Sequence, residues 1–273
     1  MIRPPAVAGR FYPSNAAELD ATVGDLLAAA AVRPSAHPPI AVIAPHAGYI
    51  YSGPTAAKVF AGAAIPALVV ILAPNHTGVV DAPGGVSLWE GGAFRTPLGD
   101  VPVDDAFGSA LLGASDLVSV DHDAHRAEHA IEVELPFLQK LRPDVRIVPL
   151  VLAWDSWSES RALGEALAAL IRDWAEPVLL LASSDLNHYE AADVSERKDS
   201  RALEAVTALD GAELLSRCQR ERISMCGRGP AAAVLAAAKD LRATTSTVVD
   251  YRHSGWVSGD NGRVVGYAGV VIS

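Results

Sequence analysis

Only two cysteines, Cys218 and Cys226, occur among the 273 residues. A disulfide framework needs more thiols than that, so the chain reads as one that stays reduced, and the cytoplasm is its expected location. No stretch approaches the roughly 18 uninterrupted apolar residues of a membrane span. The Ala-rich segment at 26–31 is too short and reads as the end of an amphipathic helix. The N-terminal stretch "MIRPPAVAGRFYPSN" has no long apolar run, so a secretory signal is not expected. Basic residues are in deficit, 22 Lys and Arg against 32 Asp and Glu, and they are scattered. A net charge of −10 without a basic face argues against nucleic acid and anionic membranes as partners. No G-x-S-x-G elbow is present, which disfavours a nucleophilic serine.

What is present is an alternation of apolar runs and helical periodicity. Strands are expected at 40–44, 68–73, 146–152, 178–182, 244–250 and 264–272, most of them rich in Val, Ile and Leu. Helices are expected at 16–30, 54–63, 104–112, 128–141, 158–173, 195–209 and 229–241, the first capped by Ser14 or Asn15. Continuous apolar strands separated by helices predict an α/β fold with a mostly parallel sheet covered on both faces. The Gly- and Pro-rich region 77–103 reads as a hairpin or long loop, and no linker divides the chain, so one domain over 1–273 is expected.

Sites in open α/β sheets form beyond the carboxyl ends of strands. Three such ends carry polar residues here: "IAPHAG" with His46, "LAPNHTG" with His76, and "ASSDLNHY" with Asp185 and His188. A lone histidine past a strand is usually a packing or capping residue, but two in equivalent positions suggest paired metal ligands. An open catalytic metal site takes three protein groups. The candidates for the third are Cys226, Asp185 and a residue of the cluster "DHDAHRAEHAIEVE" at 121–134. Cys226 lies in a Gly- and Pro-marked turn before an expected helix, where a thiolate is favoured; as a structural residue it would be a small buried hydrophobe. In "SSDLNHY", Asp185 could orient an imidazole and His188 could act as general acid or base; as structural residues Ser and Asp would cap the next helix. The cluster also contains "HRAEH", a literal H-x-x-E-H match that predicts a metallopeptidase if His125 and His129 share a helix face.

Taken together, "GRFYP" (9–13), "APHAGYIYSG" (44–53), "APNH" (73–76), "TPLG" (96–99), "EHAIEVELPFL" (128–138), "SSDLNHY" (183–189), "MCG" (225–227) and "YRHSG" (251–255) resemble the Memo family, whose prokaryotic branch is called AmmeMemoRadiSam system protein B. The segments span almost the whole chain. The resemblance implies a single α/β domain similar to class III extradiol ring-cleavage dioxygenases, non-haem iron enzymes with two histidines and a glutamate on the metal. Carried over by motif, His46 and His76 match the two histidines and Cys226 stands in place of the carboxylate. His188 matches the catalytic base, with Asp185 beside it, and Tyr49, Tyr51 and His129 are expected to touch substrate. Two imidazoles and a thiolate suit copper or zinc as readily as iron. The expected function is therefore a metal-dependent oxidoreductase, the alternative a peptide- or partner-binding protein with a vestigial site. Family association also suggests AMMECR-like and radical-SAM proteins as partners.

Overall fold

The computed structural model describes residues 1–273. Its main sheet has nine strands. Across it the order is His188–Glu190, Val264–Ile272, Ala41–Ala44, Val178–Ser183, Leu68–Pro74, Arg146–Leu152, Val86–Leu88 and Val118–Val120, with Ser246–His253 also paired to Val264–Ile272. The four central strands, at 41–44, 178–183, 68–74 and 146–152, run parallel as expected. Antiparallel strands extend them on both sides, so the complete sheet is mixed.

Alternation of side chains along each strand explains why these runs are apolar throughout. Leu68, Val70 and Leu72 join one buried cluster, whereas Val69, Ile71 and Ala73 join the other. The first cluster is covered by helices that include Trp157–Asp173 and Arg228–Asp240, the second by Ala16–Ala30, Tyr49–Gly62 and Leu135–Leu141. Asn15 caps the first helix, its side chain accepting from the Glu18 amide. No helix is long and apolar enough to cross a membrane.

The 77–103 region is more ordered than its composition suggests. Val86–Leu88 joins the main sheet, and Ala93–Thr96 forms a hairpin with Gly99–Pro102. The N-terminal Ile2–Arg3 pairs parallel to that hairpin. Arg3 is thereby carried into the interior, where its guanidinium ion-pairs with Glu132 and donates to the carbonyls of His125 and Glu128. The same Glu132 accepts from the amides of Ala6 and Val7 and from the Tyr12 hydroxyl. A buried charge pair persists only when its remaining hydrogen-bonding positions are filled, and here that requirement ties the N-terminus to the 121–134 segment.

Helix expectation overshoots in that segment. A short helix covers Asp123–Arg126, and the next regular turn begins only at Glu132, continuing into Leu135–Leu141. Between them Glu128 turns its carboxylate onto the amides of His129 and Ala130, which diverts those donors from a helix.

Candidate metal centre

The parallel strands deliver their carboxyl ends to one edge, and the polar residues that follow them meet there. His46 lies two residues beyond Ala44, and His76 two beyond Pro74. His129 reaches the same place from the irregular 127–131 stretch. The three imidazoles offer nitrogen atoms that all lie within 4.8 Å of one another. The cluster at 121–134 thus contributes His129, while His125 points elsewhere.

Each of the first two rings is held through Nδ1, which leaves Nε2 for the pocket. Nδ1 of His76 is 2.9 Å from Oε1 of Glu128, whose other oxygen accepts from the His76 amide. A carboxylate behind a ligand imidazole fixes its ring and raises its basicity. Burial lowers the pKa of His76, but the hydrogen bond and charge of Glu128 outweigh it and raise the value overall. Burial likewise opposes ionisation of Glu128, yet His76, His129 and the Ala130 amide bring it below the usual carboxylate range. His46, only 1% exposed, contacts the Ser183 hydroxyl through Nδ1 at 2.8 Å. Burial, then the neighbouring His129, His76 and His188, holds His46 well below the ordinary histidine range, so it stays neutral.

Cys226 completes this corner. Its sulfur lies 3.4 Å from Nε2 of His46 and accepts from the Asp185 amide at 3.3 Å. Burial, with Asp185 nearby, pushes the thiol above its ordinary pKa, so in the absence of a cation the sulfur keeps its proton. The next residue, Gly227, packs so closely on Ser183 and Ser184 that a Cβ there would strike them. Asp185 accepts from the His46 amide at 2.9 Å, and burial raises its carboxyl to about 7. Its position shapes the 45–48 turn rather than an imidazole ring.

His188 stands at the rim. Its amide donates to the Ser224 hydroxyl and its Nδ1 is 2.9 Å from the Ser224 carbonyl, a bond that leaves Nε2 unprotonated in the neutral ring. Ser224 is in turn held by the Asn187 side chain, which is buried with all its polar atoms engaged. Burial first, with His76 contributing, lowers the pKa of His188.

Two further expectations are corrected. Tyr49 does not face the pocket: it is buried between Tyr12 and Phe137, with its hydroxyl donating to the Val133 carbonyl at 2.7 Å. The H-x-x-E-H match does not form a peptidase site, because His125 packs against Trp89 and Phe94 and its Nε2 meets the Ser87 carbonyl. Tyr51 is half-buried. Cys218 is a buried core residue. Sequence reasoning passed over Glu128 as the support of His76, and Asn187 and Ser224 as the support of His188. Acidic residues embedded in the apolar run "EHAIEVELPFL" were the available signal for the first.

The donor set is coherent for a metal. Imidazole nitrogens within 4.8 Å of one another, with a sulfur 3.4 Å from one of them, are the donor types of a transition-metal site and not the all-oxygen set that magnesium or calcium prefers.

Comparison with known proteins agrees with the motif reading. A family profile described as Memo-like protein matches residues 3–271. A MEMO1 family protein of Methanopyrus kandleri is 41% identical over 285 aligned residues, covering 99% of both chains. One from Thermotoga maritima is 40% identical over 284, covering all of both. The solved structure of an uncharacterized protein from Escherichia coli K12 superposes with a TM-score of 0.56 at 15% identity, covering 85% of this chain and 98% of that one, a likeness of fold alone. This chain belongs to the Memo-like family.

Proposed function

We propose that this chain binds one redox-capable metal ion through His46, His76 and Cys226 and carries out oxidoreductase chemistry on a small molecule. The observation that carries the ligand set is the 3.4 Å separation of His46 Nε2 and Cys226 Sγ. A nitrogen at about 2.0–2.1 Å and a sulfur at about 2.3 Å from one tetrahedral ion sit roughly 3.5 Å apart. His76 meets His46 edge-on, their rings at 79°, whereas His129 stacks on His76 with an angle of only 29°. Two stacked rings with nearly parallel, offset planes have no nearby point lying in both planes, so a single ion meets the in-plane lone pairs of His76 and His129 poorly. His129, packed between Phe11 and His76, is better placed as a wall of the substrate pocket.

Bound at such a site, iron or copper supplies one-electron chemistry and Lewis acidity, and zinc supplies the latter alone. The protein's own part is proton transfer and positioning. His188 is fixed through Nδ1 by the Ser224 carbonyl, which leaves Nε2 to accept a proton, and burial, which lowers its pKa, favours the neutral form that a general base needs. Asp185 holds the backbone of His46 in place.

Elemental analysis of protein purified without added metal, followed by anaerobic Fe(II) loading and O2-uptake assays on a panel of catechols, tests both halves. The expected result is about one ion per chain and O2 consumption that His188→Ala abolishes. Protein that takes up no ion contradicts the ligand set. Protein that is loaded but inert across the panel contradicts the oxidoreductase reading and leaves a binding site.

A further inference from the structure

We propose that Glu134 is a positioning residue for His46: acting through Ser183, its carboxyl group fixes the imidazole with its hydrogen on Nδ1 and its Nε2 lone pair toward the pocket. The hydrogens around one hydroxyl decide this. Ser183 Oγ has three polar neighbours, the Ala130 carbonyl at 2.7 Å, Oε1 of Glu134 at 2.9 Å and Nδ1 of His46 at 2.8 Å. A hydroxyl carries one hydrogen and two lone pairs. The Ala130 carbonyl can only accept, so it takes the serine hydrogen, and both other neighbours must donate. Nδ1 of His46 therefore carries the hydrogen and Nε2 does not.

Glu134 is able to donate because it is neutral. It is completely buried, pairs with no basic side chain, and its Oε2 has no hydrogen-bond partner. A buried carboxylate without a cation is far too costly to persist. The two histidines on either side of the pocket are thus oriented by opposite means, His76 by the ionised Glu128 and His46 by the neutral Glu134 through a serine. Without Glu134, one lone pair of Ser183 is empty and the hydroxyl is free to rotate its hydrogen onto Nδ1. That rotation favours the form of His46 protonated on Nε2, which cannot ligate.

The inference rests on the proposed metal site only for its effect on affinity, so the two can fail separately. Long-range 1H–15N correlation spectra of the metal-free, histidine-labelled protein show which ring nitrogen of His46 carries hydrogen, and competition titration with Zn(II) gives the affinity. Wild type is expected in the Nδ1–H form. Glu134→Leu is expected to populate the Nε2–H form and weaken Zn(II) binding about 10- to 100-fold. Glu134→Gln, whose amide can still donate to Ser183, is expected to keep the wild-type spectrum and affinity. If Glu134→Leu does not fold, Ser183→Ala removes the same link and is expected to give the same spectral change. A folded Glu134→Leu or Ser183→Ala protein that retains the wild-type His46 spectrum overturns the proposal, as does a Glu134→Gln protein altered as much as Glu134→Leu. Wild type in the Nδ1–H form that fails to bind Zn(II) counts against the metal site and not against Glu134.

Discussion

Nε2 of His46 and the sulfur of Cys226 lie 3.4 Å apart although 180 positions separate them in the chain. The sheet brings this about. His46 follows the strand Ala41–Ala44, which pairs with Val178–Ser183, and the Ser184 hydroxyl at that neighbour's end accepts from the Gly227 amide beside Cys226. Strand pairing and the Gly227–Ser184 hydrogen bond therefore hold side by side the segments that carry the nitrogen and the sulfur.

Glu128→Gln should weaken metal binding about 10- to 100-fold, the usual effect of removing a carboxylate that orients a ligand imidazole. Because Glu128 is what raises the pKa of His76 against the pull of burial, the same change should lower that pKa. Metal titration and an NMR pH titration of His76 check the two effects, and a variant that alters neither shows that Glu128 is not the support of His76.

Arg3→Ala should destabilise the fold by about 3–5 kcal/mol, because it leaves Glu132 charged and buried without its cation. Urea unfolding measures this. Hydrogen exchange should also quicken along 121–134, since Arg3 donates to two carbonyls of that segment. A loss below about 1 kcal/mol would show that Glu132 is sufficiently held by its neutral donors.

Stability should fall on the acid side through His125. Burial first holds this ring at about 4 in the folded chain, against about 6.5 when unfolded. Between those values the unfolded chain binds a proton that the folded chain does not. The contribution of neutral His125 is thus complete above about pH 6.5 and is lost as pH falls toward 4, at most about 3 kcal/mol. Denaturant unfolding across this range should show a shallower pH dependence in His125→Gln than in wild type; identical slopes contradict the assignment.

The sheet and the first two site histidines were legible in the sequence for one physical reason. Strands buried on both faces must be apolar at every position, so the runs at 68–73 and 178–182 stand out, and a polar residue just past their ends is conspicuous. The antiparallel edges were not legible, because Val264–Ile272 looks equally apolar whichever way its neighbours run. Nor was the loop that carries His129, since Glu128 stops the helix with a carboxylate that captures the next two amides. The supports of the site were hidden for a similar reason. Asn187 holds Ser224 across 37 positions and Glu134 reaches Ser183 across 49, distances over which no local pattern operates.

Cys226 is the most distinctive member of the proposed ligand set with His46 and His76. Loading the protein with Co(II) and recording its absorption spectrum tests this, because a thiolate on cobalt gives a sulfur-to-metal charge-transfer band that imidazoles do not. Wild type should show the band, and binding should release a proton as the thiol ionises. Cys226→Ser should lose the band and most of its affinity. Wild-type protein that binds Co(II) without the band, or Cys226→Ser protein that binds as tightly as wild type, would contradict the assignment.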